Sequence, residues 1–171
     1  MKNIFFILSL LLNVNLLAGF LESGLDEYNR GNGKAAIGLF NKACDNGEIV
    51  ACYNLGIIYS SGEVVKEDTK IASELFTKSC DSGYMKACYN LGVFYDYGYS
   101  TYKDKTKAAD LYTKSCDAGN SKACFNLGVM YYYGEGLSQS KSYAKELFHK
   151  ACKDGKSKAC QNYKILEQDG V

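Results

Sequence analysis

Eight cysteines stand at positions 44, 52, 80, 88, 116, 124, 152 and 160, so four pairs eight residues apart recur every 36 residues. A ladder this regular makes the chain an array of equivalent units. A period in the thirties is the length of one stacked helix pair, which buries its apolar face only against its neighbours. The spacing also restricts the cross-links. Residues eight apart on one continuous helix lie about 12 Å apart along its axis, whereas a disulfide needs Cα atoms within roughly 7 Å. A bridged pair therefore straddles a turn, one cysteine ending a helix and the other early in the next.

Positions 1–18 read as a secretory signal peptide: Lys2 supplies the positive start, Ile4 to Leu12 the apolar stretch and Ala18 the small residue before cleavage. Asn13 and Asn15 break the apolar run well short of the roughly 18 residues that a span requires. No membrane span is expected after cleavage. Export and an even number of cysteines support each other, because thiols pair in an oxidising compartment. Zinc is the competing use, but there is one histidine, His149, and no Cys-x-x-Cys, where structural zinc ligands stand two to four residues apart. No metal or cofactor is expected. The formal charge is +1, with lysines spread along the chain and balanced by acids, which excludes a nucleic-acid partner of the basic-patch kind. The expectation is a monomer in the periplasm or outside the cell.

Laid on itself at the repeat, the chain shows its unit. The first helix runs over 35–44, with Ala36, Leu39, Phe40 and Ala43 on one helical stripe. The stripe returns as Ala72, Leu75, Phe76, Ser79, as Ala108, Leu111, Tyr112, Ser115, and as Ala144, Leu147, Phe148, Ala151. Gly47, Gly83, Gly119 and Gly155 stop this helix, each where a left-handed residue commonly ends one. A second helix follows from about Val50, with Ala51, Leu55, Ile58 and Tyr59 inward, and Gly62, Gly98 and Gly134 end its copies. Gly56, Gly92 and Gly128 lie inside those second helices, where glycine costs about 1 kcal/mol against alanine. Repeating that cost implies close contact with a neighbouring helix. Tyr59, Tyr95 and Tyr131 are expected in the core, and Lys78 is expected to pair with Glu74 one turn earlier.

The pattern divides the chain into a signal peptide at 1–18, a capping helix at 19–33 and four repeats over 34–171, at about 34–62, 70–98, 106–134 and 142–170. Polar Tyr163, Lys164 and Glu167 replace the apolar second-helix positions at the far end, as suits a terminal cap. A bridge closing a loop of about nine residues contributes roughly 2.5 kcal/mol in the chain-entropy model.

The run Ala-x-x-Leu-Phe-x-Lys-Ala-Cys-Asp-x-Gly, followed by Ala-Cys-Tyr-Asn-Leu-Gly-x-x-Tyr-x-x-Gly, resembles Sel1-like repeats, relatives of tetratricopeptide repeats. The doubled cysteine is similar to that of the secreted Helicobacter cysteine-rich proteins. The resemblance implies an all-α fold, a right-handed α/α superhelix (a solenoid) with one bridge per repeat: Cys44–Cys52, Cys80–Cys88, Cys116–Cys124 and Cys152–Cys160. It also implies penicillin binding and slow β-lactam hydrolysis. The Gly-x-Gly loop of such repeats survives only at Gly134 and Gly136.

No recognisable catalytic motif accompanies that implied activity. Three Ser-x-x-Lys strings occur, at Ser100–Lys103, Ser138–Lys141 and Ser142–Lys145, without the partner motifs of serine β-lactamases. All fall in linkers or at helix starts, where serine caps helices. His149 replaces the Asn41, Thr77 and Thr113 of other copies and reads as a surface residue. Two features point to binding instead. Tyr97, Tyr99, Tyr102, Tyr132 and Tyr133 exceed what the repeat requires, and exposed tyrosines offer rigid contact area with a hydroxyl, although packing between loops would use them equally. Asn54, Asn90, Asn126 and Asn162 recur on every second helix, as groove-lining amides or as satisfied structural ones. The expected partner is a peptide, a β-lactam or peptidoglycan-derived ligand, or another protein.

Overall fold

The computed structural model describes residues 19–99, 102–153, 155 and 157–171, which form nine helices and no strand. In chain order these are α1 (19–29), α2 (Gly33–Asp45), α3 (Ile49–Ser61), α4 (Thr69–Asp81), α5 (Met85–Tyr97), α6 (Lys105–Asp117), α7 (Ser121–Tyr133), α8 (Lys141–Lys153) and α9 (Ser157–Gln168). The chain divides into two compact units after Ser82. The proposed signal peptide lies outside the described residues, among which no helix is long and apolar enough to cross a membrane.

Short polar side chains cap the starts of α4, α6 and α7. Asp68 accepts from the Ile71 amide, Asp104 from the Lys107 amide, and Asn120 from the amides of Lys122 and Ala123. Each capped amide is one of the four that a helix start leaves without a partner. Between α2 and α3 the chain reverses at Gly47, whose φ of 95° only glycine adopts without strain. That reversal sets Cys44 and Cys52 4.8 Å apart at Cα, and equivalent turns set Cys116 and Cys124, and Cys152 and Cys160, 4.6 Å apart, each pair bridged. Cys80 and Cys88 are disulfide-bonded as well, and no described cysteine is free. Complete pairing belongs to an oxidising, extracytoplasmic compartment.

The linkers after the second helices share one closure. The amides of Asp68, Asp104 and Ser140 each donate to the carbonyl of Tyr59, Tyr95 and Tyr131, at 2.9 Å in every case. Those three tyrosines are half-buried, at the edge of the core because their backbone serves the linker. In the last linker Gly136 presses on α6: a methyl group there would meet the Lys105 main chain at 2.4 Å.

Within the first unit, Ala36, Phe40, Ala43, Ala51, Leu55 and Ile58 make the core of α2 and α3. Within the second, Tyr112, Leu127, Met130 and Leu147 are central, and Ala144, Phe148 and Leu166 close the end. One joint recurs in both units. A methyl group on Gly24 or Gly56 would come within 2.7 or 2.6 Å of the rings of Phe40 and Phe76, and one on Gly92 or Gly128 within 2.8 Å of Tyr112 and Phe148. The second-helix glycine is therefore the space into which the next first helix puts its aromatic ring.

Lys78 does not pair with Glu74. Its ammonium donates to the Cys44 carbonyl at 3.1 Å and approaches the Cys44 sulfur at 3.5 Å. The last turn of α2 carries carbonyls without intrahelical partners and the negative end of the helix dipole, so it competes successfully with a solvated glutamate.

Gly128→Ala is expected to destabilise the protein by about 1–3 kcal/mol through overpacking, whereas Gly38→Ala, in a helix with nothing within 4 Å of the added methyl group, stabilises it by up to about 1 kcal/mol. Denaturant unfolding of the two variants measures the contrast, and equal effects would remove the packing explanation.

Candidate ligand-binding site

The aromatic ring of the joint also floors a cavity. In the second unit a cavity of 290 Å³ is lined by Val129, Tyr132 and Tyr133 of α7, Phe148 of α8, and Asn162, Ile165 and Leu166 of α9. In the first unit a cavity of 260 Å³ has the same plan, with Leu25, Tyr28 and Asn29 of α1, Phe40 of α2, and Asn54, Ile57 and Ile58 of α3. Both are furrows between consecutive second helices, with an asparagine on one wall. No hydrogen-bond partner is found for the side chain of Asn54 or Asn162 among the described residues. Each amide is half-buried and retains its full capacity of two donors and one acceptor oxygen.

The other asparagines differ. Asn90 is half-buried and already engaged. Asn126 is half-buried, and its amide lies near the phenols of Tyr89 and Tyr112. The repeat pattern shows these amides as equivalent, but their surroundings differ.

The surplus tyrosines divide between packing and exposure. Tyr97 and Tyr99 stack with ring centroids 5.5 Å apart, and Tyr99 meets Phe94 edge-on at 5.7 Å. Tyr132 and Tyr133 form an edge-on pair at 4.9 Å, and both line the α7–α9 cavity. Tyr97, Tyr99 and Tyr133 still keep 64%, 54% and 67% of their surface exposed, and Tyr102 keeps 96%. Tyr132 and Tyr133 thus belong to a cavity wall, while Tyr102 is almost fully exposed.

The Ser-x-x-Lys strings do not assemble a nucleophile. Ser100 lies outside the described residues, and Ser138 and Lys141 are both exposed. The Lys141 ammonium sits over the Tyr132 ring, 5.5 Å from its centroid. Ser142 pairs with the Ser140 hydroxyl at 3.2 Å, while Lys145 donates to the Val171 carbonyl at 2.6 Å. These side chains do share an open cleft of 370 Å³ with Glu146, His149 and Tyr163, where His149 lies against the Tyr163 ring at 4.7 Å. No group of three metal-ligating side chains occurs among the described residues.

The repeat pattern concealed one polar network. Asp96, 9% exposed, occupies the α5 position that Tyr132 holds in α7, and Tyr112 stands where the other repeats have phenylalanine. The fully buried Tyr112 hydroxyl donates to Asp96 Oδ2 at 3.2 Å. Lys105 bridges Asp96 to Glu135, reaching the Glu135 carboxylate at 2.8 Å. Burial, reinforced by Asp96, pushes the Tyr112 phenol far above its ordinary 10.0, against an opposing influence of the nearby Asn126 amide. For Lys105 burial acts against the charge, but the hydrogen bonds to Asp96 and Glu135 outweigh it and hold the ammonium above its ordinary range. The sequence signal was available: a lone tyrosine in a column of phenylalanines brings a buried hydroxyl that needs a partner.

Both shifts are upward, so both contributions to stability are complete below the ordinary values of 10.0 and 10.5 and are lost as pH rises beyond them. The expected outcome is a fall in unfolding midpoint above about pH 10. Tyrosinate absorbance should lose its latest-titrating phenol in Tyr112→Phe. An unchanged absorbance curve in that variant would count against the buried hydroxyl.

The model of the Sel1 repeat matches residues 15–48, 49–84, 86–120 and 121–156. Its frame opens on a second helix and closes after the following first helix, so that α3 with α4, α5 with α6 and α7 with α8 share a frame. Solved structures agree. A protective antigen of uropathogenic Escherichia coli displaying an SLR fold is 27% identical with a TM-score of 0.85, over 91% of this chain and 34% of that one. The chain thus spans about a third of the length of that relative. A Sel1 repeat protein from Oxalobacter formigenes, 22% identical, shares the fold at a TM-score of 0.76, over 86% of this chain and 60% of its own. Helicobacter pylori cysteine rich protein B is 31% identical over 75% of this chain and 92% of its own, with a TM-score of 0.59. No curated protein is matched by sequence. With the repeat model matched four times along most of its length, the chain belongs to the Sel1 repeat family.

Proposed function

We propose that the chain is a recognition module, stapled by disulfides and working outside the cytoplasm, whose second-helix furrows take peptide-like ligands. The observation that carries this reading is the cavity built twice to one plan, with Phe40 and Asn54 in one copy and Phe148 and Asn162 in the other. A cavity of 290 Å³ lined by uncharged side chains suits one large apolar side chain, and a free carboxamide beside it can pair with one amide group of the same ligand. An acylated peptide, a wall-derived peptide and a β-lactam with an arylacetamide side chain all present that pair of features. A β-lactam also resembles the end of a cell-wall peptide, so affinity for one would report on the other. A protein partner would supply the same features from an extended segment, which makes the interaction module a form of this reading.

Slow β-lactam hydrolysis is the second reading, supported by the similarity to the Helicobacter pylori protein and by the cleft holding Ser142, Lys145 and His149. Its weakness is chemical. A serine nucleophile needs an adjacent base to take its proton, and the Lys145 ammonium is turned to the Val171 carbonyl.

Calorimetry of the oxidised protein with N-acetyl-phenylalanine methylamide, a muropeptide and benzylpenicillin tests the first reading. Binding of at least one is expected, weakened about tenfold or more in Asn162→Leu, as the loss of 1.4 kcal/mol implies. Silence from all three sinks it. Turnover of a chromogenic cephalosporin that is lost in Ser142→Ala would instead establish the hydrolase.

A further inference from the structure

The bridges close the same turn in different surroundings. Cys44 and Cys52 are 3% and 0% exposed, Cys80 and Cys88 5% and 0%, and Cys116 and Cys124 1% and 0%. Cys152 and Cys160 are only half-buried. The sulfur atoms follow the same division. Cys160 Sγ lies 3.5 Å from the Cys152 carbonyl in a part-buried position, whereas the matching contacts of Cys52 and Cys124 are buried.

Charge separates the fourth pair as well. Asp45, Asp81 and Asp117 follow the first cysteine of the other pairs, but Lys153 follows Cys152. Between Cys44 and Cys52 stand two acids and no base, between the cysteines of the next two pairs one of each, and between Cys152 and Cys160 three lysines and one aspartate. Of these lysines, Lys153 and Lys158 are exposed. Positive charge beside a cysteine favours its thiolate, and a thiolate of lower pKa leaves a disulfide faster. Cations at the surface also draw an anionic reagent to the bridge. Cys44 has a cation too, the Lys78 ammonium 3.5 Å from its sulfur, but burial shuts that bridge off from attack. Access and positive charge coincide at Cys152–Cys160.

We propose that the Cys152–Cys160 bridge is a thiol–disulfide exchange site, opened by low-molecular-weight anionic thiols while the other three bridges stay closed. A thiolate attacks one sulfur of the bridge, the bond between the two cysteines breaks, and its electron pair leaves on the other sulfur. A second thiolate attacks the mixed disulfide and releases the second cysteine. The protein gains two electrons and takes up the two protons that the thiols gave to solvent, and the two thiols become one disulfide. Exposed bridges are the labile ones, whereas structural bridges resist the glutathione pool. The site is independent of the recognition function proposed above, although it bears on the same helices. Opening it frees the turn between α8 and α9, which carry Phe148, Asn162, Ile165 and Leu166 of the α7–α9 cavity.

The test incubates the folded, oxidised full-length protein with reduced glutathione, traps free thiols with N-ethylmaleimide, and maps both adducts by mass spectrometry. Cys152 and Cys160 should be modified about tenfold faster, or more, than any other cysteine. In Lys153→Asp, which installs the residue of the other copies, their rate should fall about threefold or more. Lys66→Asp makes the same charge change at an exposed lysine of another linker and should leave the rate unaltered. Opening of all four bridges together, earlier opening of a buried one, or no adduct at any cysteine overturns the proposal. Equal rates in Lys153→Asp and the wild type overturn the preference for anionic thiols. No ligand enters the experiment, so its failure leaves the recognition reading standing.

Discussion

A glycine on α1, α3, α5 and α7 removes side-chain volume where the aromatic ring of the next first helix arrives: Phe40 on Gly24, Phe76 on Gly56, Tyr112 on Gly92 and Phe148 on Gly128. Close approach of ring to backbone sets how near the next first helix lies, and within each unit a furrow opens beside that contact. The same rings at Phe40 and Phe148 form the cavity floors. Stacking and site are thus one geometry. A larger residue at the glycine would misalign the stack and deform the cavity together, because a packed interior transmits rather than absorbs such changes.

The disulfides act on a different joint. Each described bridge spans the tight turn from a first helix to the second helix that follows it, while the glycine–aromatic contact joins a second helix to the next first helix. A short helix pair with a narrow apolar stripe is a poor folding unit by itself, and the bridge removes much of the turn's freedom in the unfolded chain. Rigid furrow walls also lower the ordering cost of binding. Lys78 adds to this by reaching from α4 to the last turn of α2, tying one bridged pair to the next through the helix end.

Most of the fold was legible in the chain. The cysteine period demanded helix pairs, the left-handed glycines marked the turns, and the repeated glycine inside the second helix required a close neighbour, which is the ring found at each joint. Less could be read of the site. Aligning Asn54, Asn126 and Asn162 in one column makes them look alike, although what each can do depends on side chains arriving from another helix. Tyr112 and Phe148 also align as equivalent aromatics, yet the Tyr112 hydroxyl brings a buried hydrogen bond to Asp96 that a phenylalanine cannot make. The pairing of Lys78 was misjudged for a related reason: helical spacing favours Glu74, but spacing along one helix is silent about the unpaired carbonyls of another. Repeats report their shared geometry well and their individual chemistry poorly.

That distinction bears on what the array is for. A repeat that needed the same chemistry in every furrow would keep the same residues there, whereas this chain retains the glycine and the ring and varies the polar groups. Asp96, Lys105, Glu135 and Tyr112 satisfy one another across two helices and a linker. A buried network of that kind is stable only when each member is paired, so none of its groups is poised to transfer a proton to or from a substrate. Catalysis would require the opposite arrangement, a titratable group held short of a partner beside a nucleophile. In the second unit the polar groups lining the α7–α9 cavity are the amide of Asn162 and the phenols of Tyr132 and Tyr133, all neutral at neutral pH. The distribution of satisfied and unsatisfied groups therefore agrees better with the recognition function proposed above than with turnover.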